Sequence, residues 1–158
     1  MKYIFAIVAF VFPILIGTAC DNEEPLSTNN TQDNIDKNED AVKDTITIKV
    51  GDKVFNATLF DNTAATAFKA MLPLTISMTE LNGNEKYFRF SNNLPTNALS
   101  PETINSGDLM LWGSNTLVLF YETFSTSYSY TKLGRINNPQ GLATAVGQGN
   151  VSVKFEIK

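Results

Sequence analysis

Residues 108–121 read Asp-Leu-Met-Leu-Trp-Gly-Ser-Asn-Thr-Leu-Val-Leu-Phe-Tyr and carry the strongest indication of the fold. Two apolar runs, residues 109–112 and 117–121, flank a polar turn at Gly113, which predicts a β-hairpin. Consecutive apolar residues indicate a strand that is buried on both faces, whereas a sheet with one wet face alternates apolar and polar residues. The sheet is therefore either covered on both faces or closed, and closure also removes unpaired edges.

The neighbouring sequence also reads as short strands. Further strands are predicted at residues 45–50, 54–60, 74–78, 87–90, 133–136 and 151–157. The first two are separated by Gly51 and Asp52, a pair that is typical of a tight hairpin turn. A long loop is expected over residues 91–107, and the aromatic and Ser/Thr-rich residues 124–130 follow the central hairpin.

Two short helices are predicted between the strands. The first carries apolar residues at helical spacing over residues 64–72 and is capped by Asp61 or Asn62. The second begins at Pro139 and ends at Gly147. We therefore predict a mainly β fold, a closed barrel of seven or eight strands with short helices at its ends.

The N-terminus has the features of a secretory signal. Lys2 precedes an apolar run over residues 3–16, and small residues lead to Cys20, the only cysteine in the chain. A helix over that run would be about 21 Å long, which is short of the roughly 30 Å hydrocarbon core of a bilayer. Pro13 inside the run also disfavours a permanent span. We predict a signal peptide at residues 1–19.

Residues 20–44 are expected to be a disordered acidic linker that starts at the cysteine. Residues 21–44 contain eight acidic residues and two lysines, few apolar residues and no periodicity. Such a segment cannot bury enough apolar surface to offset the entropy that ordering would remove. The folded domain is then predicted at residues 45–158.

Composition excludes several classes of chemistry. The chain has no histidine, which excludes histidine-based acid–base catalysis, Ser-His-Asp triads and histidine-ligated metals. Residues 45–158 carry nine positive and eight negative side chains, so no basic surface for nucleic acid is expected. No phosphate-binding glycine pattern is present. The sequence therefore predicts no cofactor, no metal and no nucleic-acid partner.

Residues 16–20, Ile-Gly-Thr-Ala-Cys, resemble the lipobox of bacterial lipoproteins. This resemblance implies that the sulfur of Cys20 carries a lipid that anchors the protein to the outer membrane of the cell envelope. Asp21, Glu23 and Glu24 resemble a signal for display on the cell surface, and the alternative is a solvated run of charges.

The domain resembles the small bacterial cyclophilin-like proteins, whose fold is a closed β-barrel. The likeness is carried by residues 57–62, 67–73, 80–87, 104–113, 117–121, 124–131 and 133–136. It extends over about residues 45–158. Domains of this kind are sometimes linked with flavodoxins, so the resemblance alone implies a flavodoxin-type partner, although no residue here requires a flavin.

The candidate ligand site combines an arginine with aromatic side chains. We expect Arg89 to form a shallow groove with four aromatic residues, for an extended peptide or a small ligand: Tyr87, Phe124, Tyr128 and Tyr130. Trp112 and Tyr121 are further candidates for the barrel mouth, although we expect the core to contain Trp112 and Phe120. Asp108 and Asp61 are predicted to accept backbone hydrogen bonds at a turn and at a helix start.

Two alternatives to ligand binding remain open. One is peptidyl-prolyl isomerase activity, because Tyr87-Phe88-Arg89 resembles the Phe-His-Arg motif in which cyclophilins use arginine to stabilise the twisted prolyl amide. The Gln-Gly-Gly-Asp motif of those enzymes is missing. The other alternative is a purely structural component of the cell envelope.

Overall fold

The computed structural model describes residues 44–158, so the predicted signal peptide, Cys20 and nearly all of the acidic linker lie outside the described residues. Ten strands and two short helices occupy the described part of the chain: β1 Thr45–Val50, β2 Lys53–Leu59, α1 Thr63–Lys69, β3 Leu74–Leu81, β4 Glu85–Arg89, β5 Thr103–Ile104, β6 Asp108–Trp112, β7 Thr116–Phe120, β8 Phe124–Ser125, β9 Thr131–Ile136, α2 Leu142–Val146 and β10 Val151–Ile157. Neither helix is long and apolar enough to cross a membrane.

Eight of these strands form a closed antiparallel barrel in the order β1-β10-β3-β4-β7-β6-β9-β2. The prediction of a mainly β, closed barrel with two short helices is confirmed. The β1–β2 turn has Gly51 at a positive φ of 55°, a conformation that glycine adopts without steric cost. Gly134 on β9 lies so close to β2 that an added Cβ would stand 2.6 Å from the carbonyl oxygen of Thr58.

The barrel interior is a continuous apolar core. It includes the alternate residues Leu109, Leu111, Leu117 and Leu119 of the β6–β7 hairpin. Helix α1 adds Phe68, whose ring packs edge-on against Phe155 of β10 with the centroids 5.6 Å apart.

The outer face of the same hairpin is also buried. Met110, Val118 and Phe120 form a second apolar cluster with Ile104 and Tyr130. Ile104 belongs to β5, which pairs with β8 in a separate two-stranded sheet. The hairpin is apolar at consecutive positions because the barrel core covers one face and this cluster covers the other. The sheet is therefore closed into a barrel and, at this hairpin, also covered on its outer face.

Helix α1 begins at one of its two predicted caps and ends earlier than predicted. The N-cap is Asn62, whose Oδ1 accepts a hydrogen bond from Ala65 N at 2.8 Å, so the alternative cap at Asp61 is wrong. The helix ends at Lys69, and Met71 and Leu72 pack on the core from the turn that follows. Met71 and Leu72 are apolar because they are packed against the core, and the helix does not extend to them.

Strands β5 and β8 lie in segments predicted as a loop and as an aromatic tract. Each has two residues, too few for a recognisable alternation. Their pairing depends on Ile104 and Phe124, which pack on the outer face of the barrel.

Candidate binding groove

A groove of about 520 Å³ lies on the outer face of β4 and β7, beside residues 124–130. All five residues predicted to form a ligand site line it: Tyr87, Arg89, Phe124, Tyr128 and Tyr130. Tyr87 and Arg89 share a face because alternate residues of a strand point the same way. The structure thus brings the predicted residues together, and their role toward a ligand stays a prediction.

The aromatic side chains differ in exposure. Tyr130 is buried, and its ring packs edge-on against Phe120 with the centroids 5.5 Å apart. Phe124 is half-buried, and its centroid is 5.7 Å from that of Phe120. Tyr128 is 66% exposed and is free to contact a ligand. Phe120 is a core residue, as expected.

Trp112 was expected in the core, and that expectation is wrong. Its side chain is 48% exposed and lines the groove. It is the last residue of β6, next to the turn at Gly113, and it belongs to neither buried cluster, whereas Met110, two residues earlier on the same face, is packed in the outer one. An apolar run in the sequence does not show where its covering layer ends.

Arg89 lies at the end of β4 and is exposed. Within residues 44–158 its guanidinium takes part in no hydrogen bond or ion pair. Its N–H donors are therefore available to a ligand. Val118 and Thr116 of β7 lie opposite Tyr87 and Arg89 and complete this part of the groove.

Glu85 is a groove residue that the sequence did not single out. It lies on the same face of β4 as Tyr87, yet only 9% of the residue is exposed. Burial, and secondarily the negative charge of Glu80, raises the pKa of its carboxyl to about 6. The carboxylate has no protein hydrogen-bond donor or cation among the described residues. The strand predicted from the sequence began at Tyr87 and left Glu85 in the preceding turn. The sequence therefore did not indicate that Glu85 shares a strand face with Tyr87 and Arg89.

Asn84 adds a second acceptor beside Glu85. Its side-chain oxygen Oδ1 is buried without a hydrogen-bond partner, and the residue lines the groove. The backbone at this position is fixed, since the carbonyl oxygen of Asn84 accepts a hydrogen bond from Tyr121 N at 3.0 Å. This end of the groove therefore presents acceptors that lack donors.

Lys86, the next residue on β4, belongs to a different set of contacts. It is fully buried, and its Nζ donates to Glu80 and, at 2.7 Å each, to the carbonyl oxygens of Gly147 and Gly149. The ammonium also lies 5.4 Å from the ring centroid of Tyr121. These contacts connect the β3–β4 hairpin to the segment after α2 and fix the position of β4.

Tyr121 and Glu80 belong to this network around Lys86 and do not line the groove. The Tyr121 hydroxyl donates to Glu80 Oε1 at 2.7 Å, and burial together with that bond raises the pKa of Tyr121 to about 12. Burial alone would raise the pKa of Glu80, but hydrogen bonds from Lys86 and Tyr121 outweigh it and lower the pKa. The assignment of Tyr121 to the ligand site is therefore not supported by its position.

Asp108 is structural, as predicted. Its Oδ2 accepts a hydrogen bond from Asn105 N at 2.8 Å at the turn before β6. It also pairs with Arg135 of β9, at 2.6 Å from Oδ1 to Nε, a contact that the sequence did not indicate. Across residues 44–158 no group of three acidic or sulfur side chains is arranged to hold a metal ion.

Comparison with known proteins agrees with this architecture. A family model described as the cyclophilin-like family matches residues 48–156. The solution structure of the hypothetical protein AF2241 from Archaeoglobus fulgidus is similar, with a TM-score of 0.57 and 19% identity over 74% of this chain and 96% of that one. At this identity the likeness shows the fold alone. No curated protein matches the sequence significantly. From the family match and the closed barrel, the chain belongs to the cyclophilin-like family.

Proposed function

We propose that this protein binds an extended peptide or a small organic ligand in the groove on β4 and β7. The observation that carries the proposal is the gathering of Arg89, Trp112 and Tyr128 around one cavity of about 520 Å³. This volume lies within the roughly 300–1,000 Å³ typical of ligand sites. The exposed aromatic side chains offer apolar area with a polar tip, a combination suited to a ligand that is partly polar.

The groove combines an apolar floor with polar groups that could select a ligand. Tyr87 and Val118 form an apolar floor, while Arg89 offers unpaired donors at one end. Such a combination binds through apolar contact and gains specificity from a few polar groups. A purely structural role would not require an unpaired arginine beside exposed aromatic rings.

Trp112 provides a direct test, because it is the only tryptophan in the chain and lines the groove. Titration with a panel of synthetic tetrapeptides is expected to change its fluorescence saturably for at least one peptide. Arg89→Ala is expected to weaken that binding at least tenfold, the loss of about 1.4 kcal/mol that removing a charge-assisted hydrogen bond entails.

Lys49→Ala is the matched control, since Lys49 is exposed on β1 and separated from β4 by β10 and β3. It should leave binding unchanged. An unchanged Trp112 emission with every peptide, or equal losses in the two variants, would contradict the proposal.

Peptidyl-prolyl isomerase activity is the second candidate function. The unpaired guanidinium of Arg89 beside aromatic side chains favours it, because an arginine can stabilise the twisted amide of the transition state. Isomerisation of a proline-containing tetrapeptide above the uncatalysed rate, abolished by Arg89→Ala, would support this function. Binding without acceleration would leave ligand binding as the function.

For the N-terminal region we propose a lipid anchor on Cys20 that holds the domain at the outer membrane through the acidic linker. The support is the lipobox-like sequence at residues 16–20 and the lack of a second cysteine. Two or more acyl chains give stable membrane attachment, whereas a single chain gives marginal binding.

Cys20→Ala is expected to move the protein from the membrane fraction to the soluble fraction of expressing cells. Arg89→Ala should remain in the membrane fraction, because it leaves the anchor intact. Retention of Cys20→Ala in membranes would rule out the anchor.

A further inference from the structure

Strand β4 places opposite, unpaired charges at the two ends of the groove. Glu85 and Arg89 both line it and are four residues apart on one face. At about 3.3 Å per residue their Cα atoms are separated by about 13 Å, too far for a direct ion pair along an extended strand. Neither side chain has an oppositely charged partner within residues 44–158.

The acidic end lacks hydrogen-bond donors. Glu85 is only 9% exposed, and Asn84, which precedes it in the chain and also lines the groove, has a buried Oδ1 without a partner. Buried acceptors without donors are unfavourable, and a carboxylate more so than a neutral oxygen. A group with several N–H donors and a positive charge satisfies both acceptors at once, and an ammonium has these properties.

The basic end lacks an acceptor. Arg89 presents a planar guanidinium with no protein partner in the described part of the chain. A guanidinium binds a carboxylate through two parallel hydrogen bonds, which fixes the orientation of the bound group. The apolar floor of Tyr87 and Val118 lies between the two charged ends.

We propose that the groove binds a short free peptide as a zwitterion, with its terminal ammonium on Glu85 and its terminal carboxylate on Arg89. An extended chain spans about 3.3–3.6 Å per residue, so a peptide of about four residues matches the separation of the two charges. The peptide then runs in the same direction as β4. This inference rests on the proposed binding function and names its ligand class.

The test compares four forms of tetraalanine by Trp112 fluorescence and calorimetry on the wild-type protein: free, N-acetylated, C-amidated and blocked at both ends. The free form is expected to bind at least tenfold more tightly than either singly blocked form. Dialanine, which is too short to reach both charges, is expected to bind as weakly as the blocked forms.

Two variants assign each end of the peptide. In Glu85→Gln, N-acetylation should cause no further loss, whereas C-amidation should still weaken binding. In Arg89→Gln the pattern should reverse. Such non-additivity identifies direct partners. Glu122→Gln is the control for the acidic end, because Glu122 is exposed and does not line the groove. Unchanged melting temperatures, or higher ones, establish that the variants are folded.

The outcomes separate this inference from the proposed function. Equal binding of the free and blocked peptides would overturn the zwitterion inference and leave groove binding intact. Failure of every peptide, including the wider tetrapeptide panel, to change Trp112 emission would overturn both the zwitterion inference and peptide binding as the proposed function.

Discussion

Lys86→Met is expected to lower the free energy of unfolding by about 3 kcal/mol, the loss typical of removing one partner from a buried ion pair. Lys86 is fully buried, and its ammonium donates to Glu80 and to the carbonyl oxygens of Gly147 and Gly149. Methionine fills a similar volume but leaves these acceptors without a donor. Urea denaturation followed by far-UV circular dichroism measures the change.

The matched control is Lys49→Met, which removes an exposed lysine from β1. It should change stability by less than about 0.5 kcal/mol, as is usual for surface substitutions. The double variant Glu80→Gln/Lys86→Met is expected to regain part of the loss, because the charge left without its partner is also removed. A loss below about 1 kcal/mol for Lys86→Met would show that the network contributes little to stability.

Glu85→Gln is expected to stabilise the protein by about 2 kcal/mol at pH 8 and to weaken ligand binding. The folded pKa of about 6 exceeds the ordinary value of 4.5, and each pKa unit corresponds to about 1.4 kcal/mol. Between these two values the native state binds more protons than the unfolded state, so wild-type stability falls as pH rises. The contribution of Glu85 to this fall ends above pH 6, once both states are ionised.

Thermal or urea unfolding at pH 4 and pH 8 measures this effect. At pH 4 the wild type and Glu85→Gln should be nearly equal in stability, and the difference should develop between pH 4.5 and 6. The exposed Glu122 provides the control, since Glu122→Gln should show no such pH-dependent gain. A variant that is less stable than the wild type at pH 8 would contradict the prediction.

Two adjacent residues on β4, Lys86 and Glu85, have opposite effects on the stability of the fold. Lys86 is oriented away from the groove, and each of its three N–H donors has an acceptor, so it stabilises the fold. Glu85 is buried without a donor and destabilises the fold above pH 6. Functional sites commonly retain groups that reduce stability. The position of Glu85 in the groove, opposite in charge to Arg89, supports a role in ligand recognition.

Much of the architecture could be predicted from local sequence because local forces produce it. The consecutive apolar residues of β6 and β7 indicated burial on both faces, and Gly51 marked the first hairpin turn. Asn62 was one of two suggested caps, and only the structure distinguished it from Asp61. The site residues Tyr87 and Arg89 could be associated because residues two apart on a strand share a face.

Other features depend on contacts between segments that are distant in the chain. Strands β5 and β8 exist because their apolar side chains cover the barrel, and no local pattern of two residues encodes that contact. Trp112 is exposed because this cover ends before it, although its neighbours in sequence are buried. Lys86 is a buried cation only because α2 ends beside it.

The sequence by itself determined a histidine-free, mainly β domain with an arginine and aromatic side chains near one strand, since composition and two-residue alternation are local properties. The sequence associated Arg89 with four aromatic residues, and the tertiary structure alone added Asn84 and Glu85 to that groove. Barrel closure placed β7 against β4, and the outer sheet brought residues 124–130 beside them. Only after that packing does Glu85 become a buried carboxylate without a donor, because burial is a property of the assembled layers.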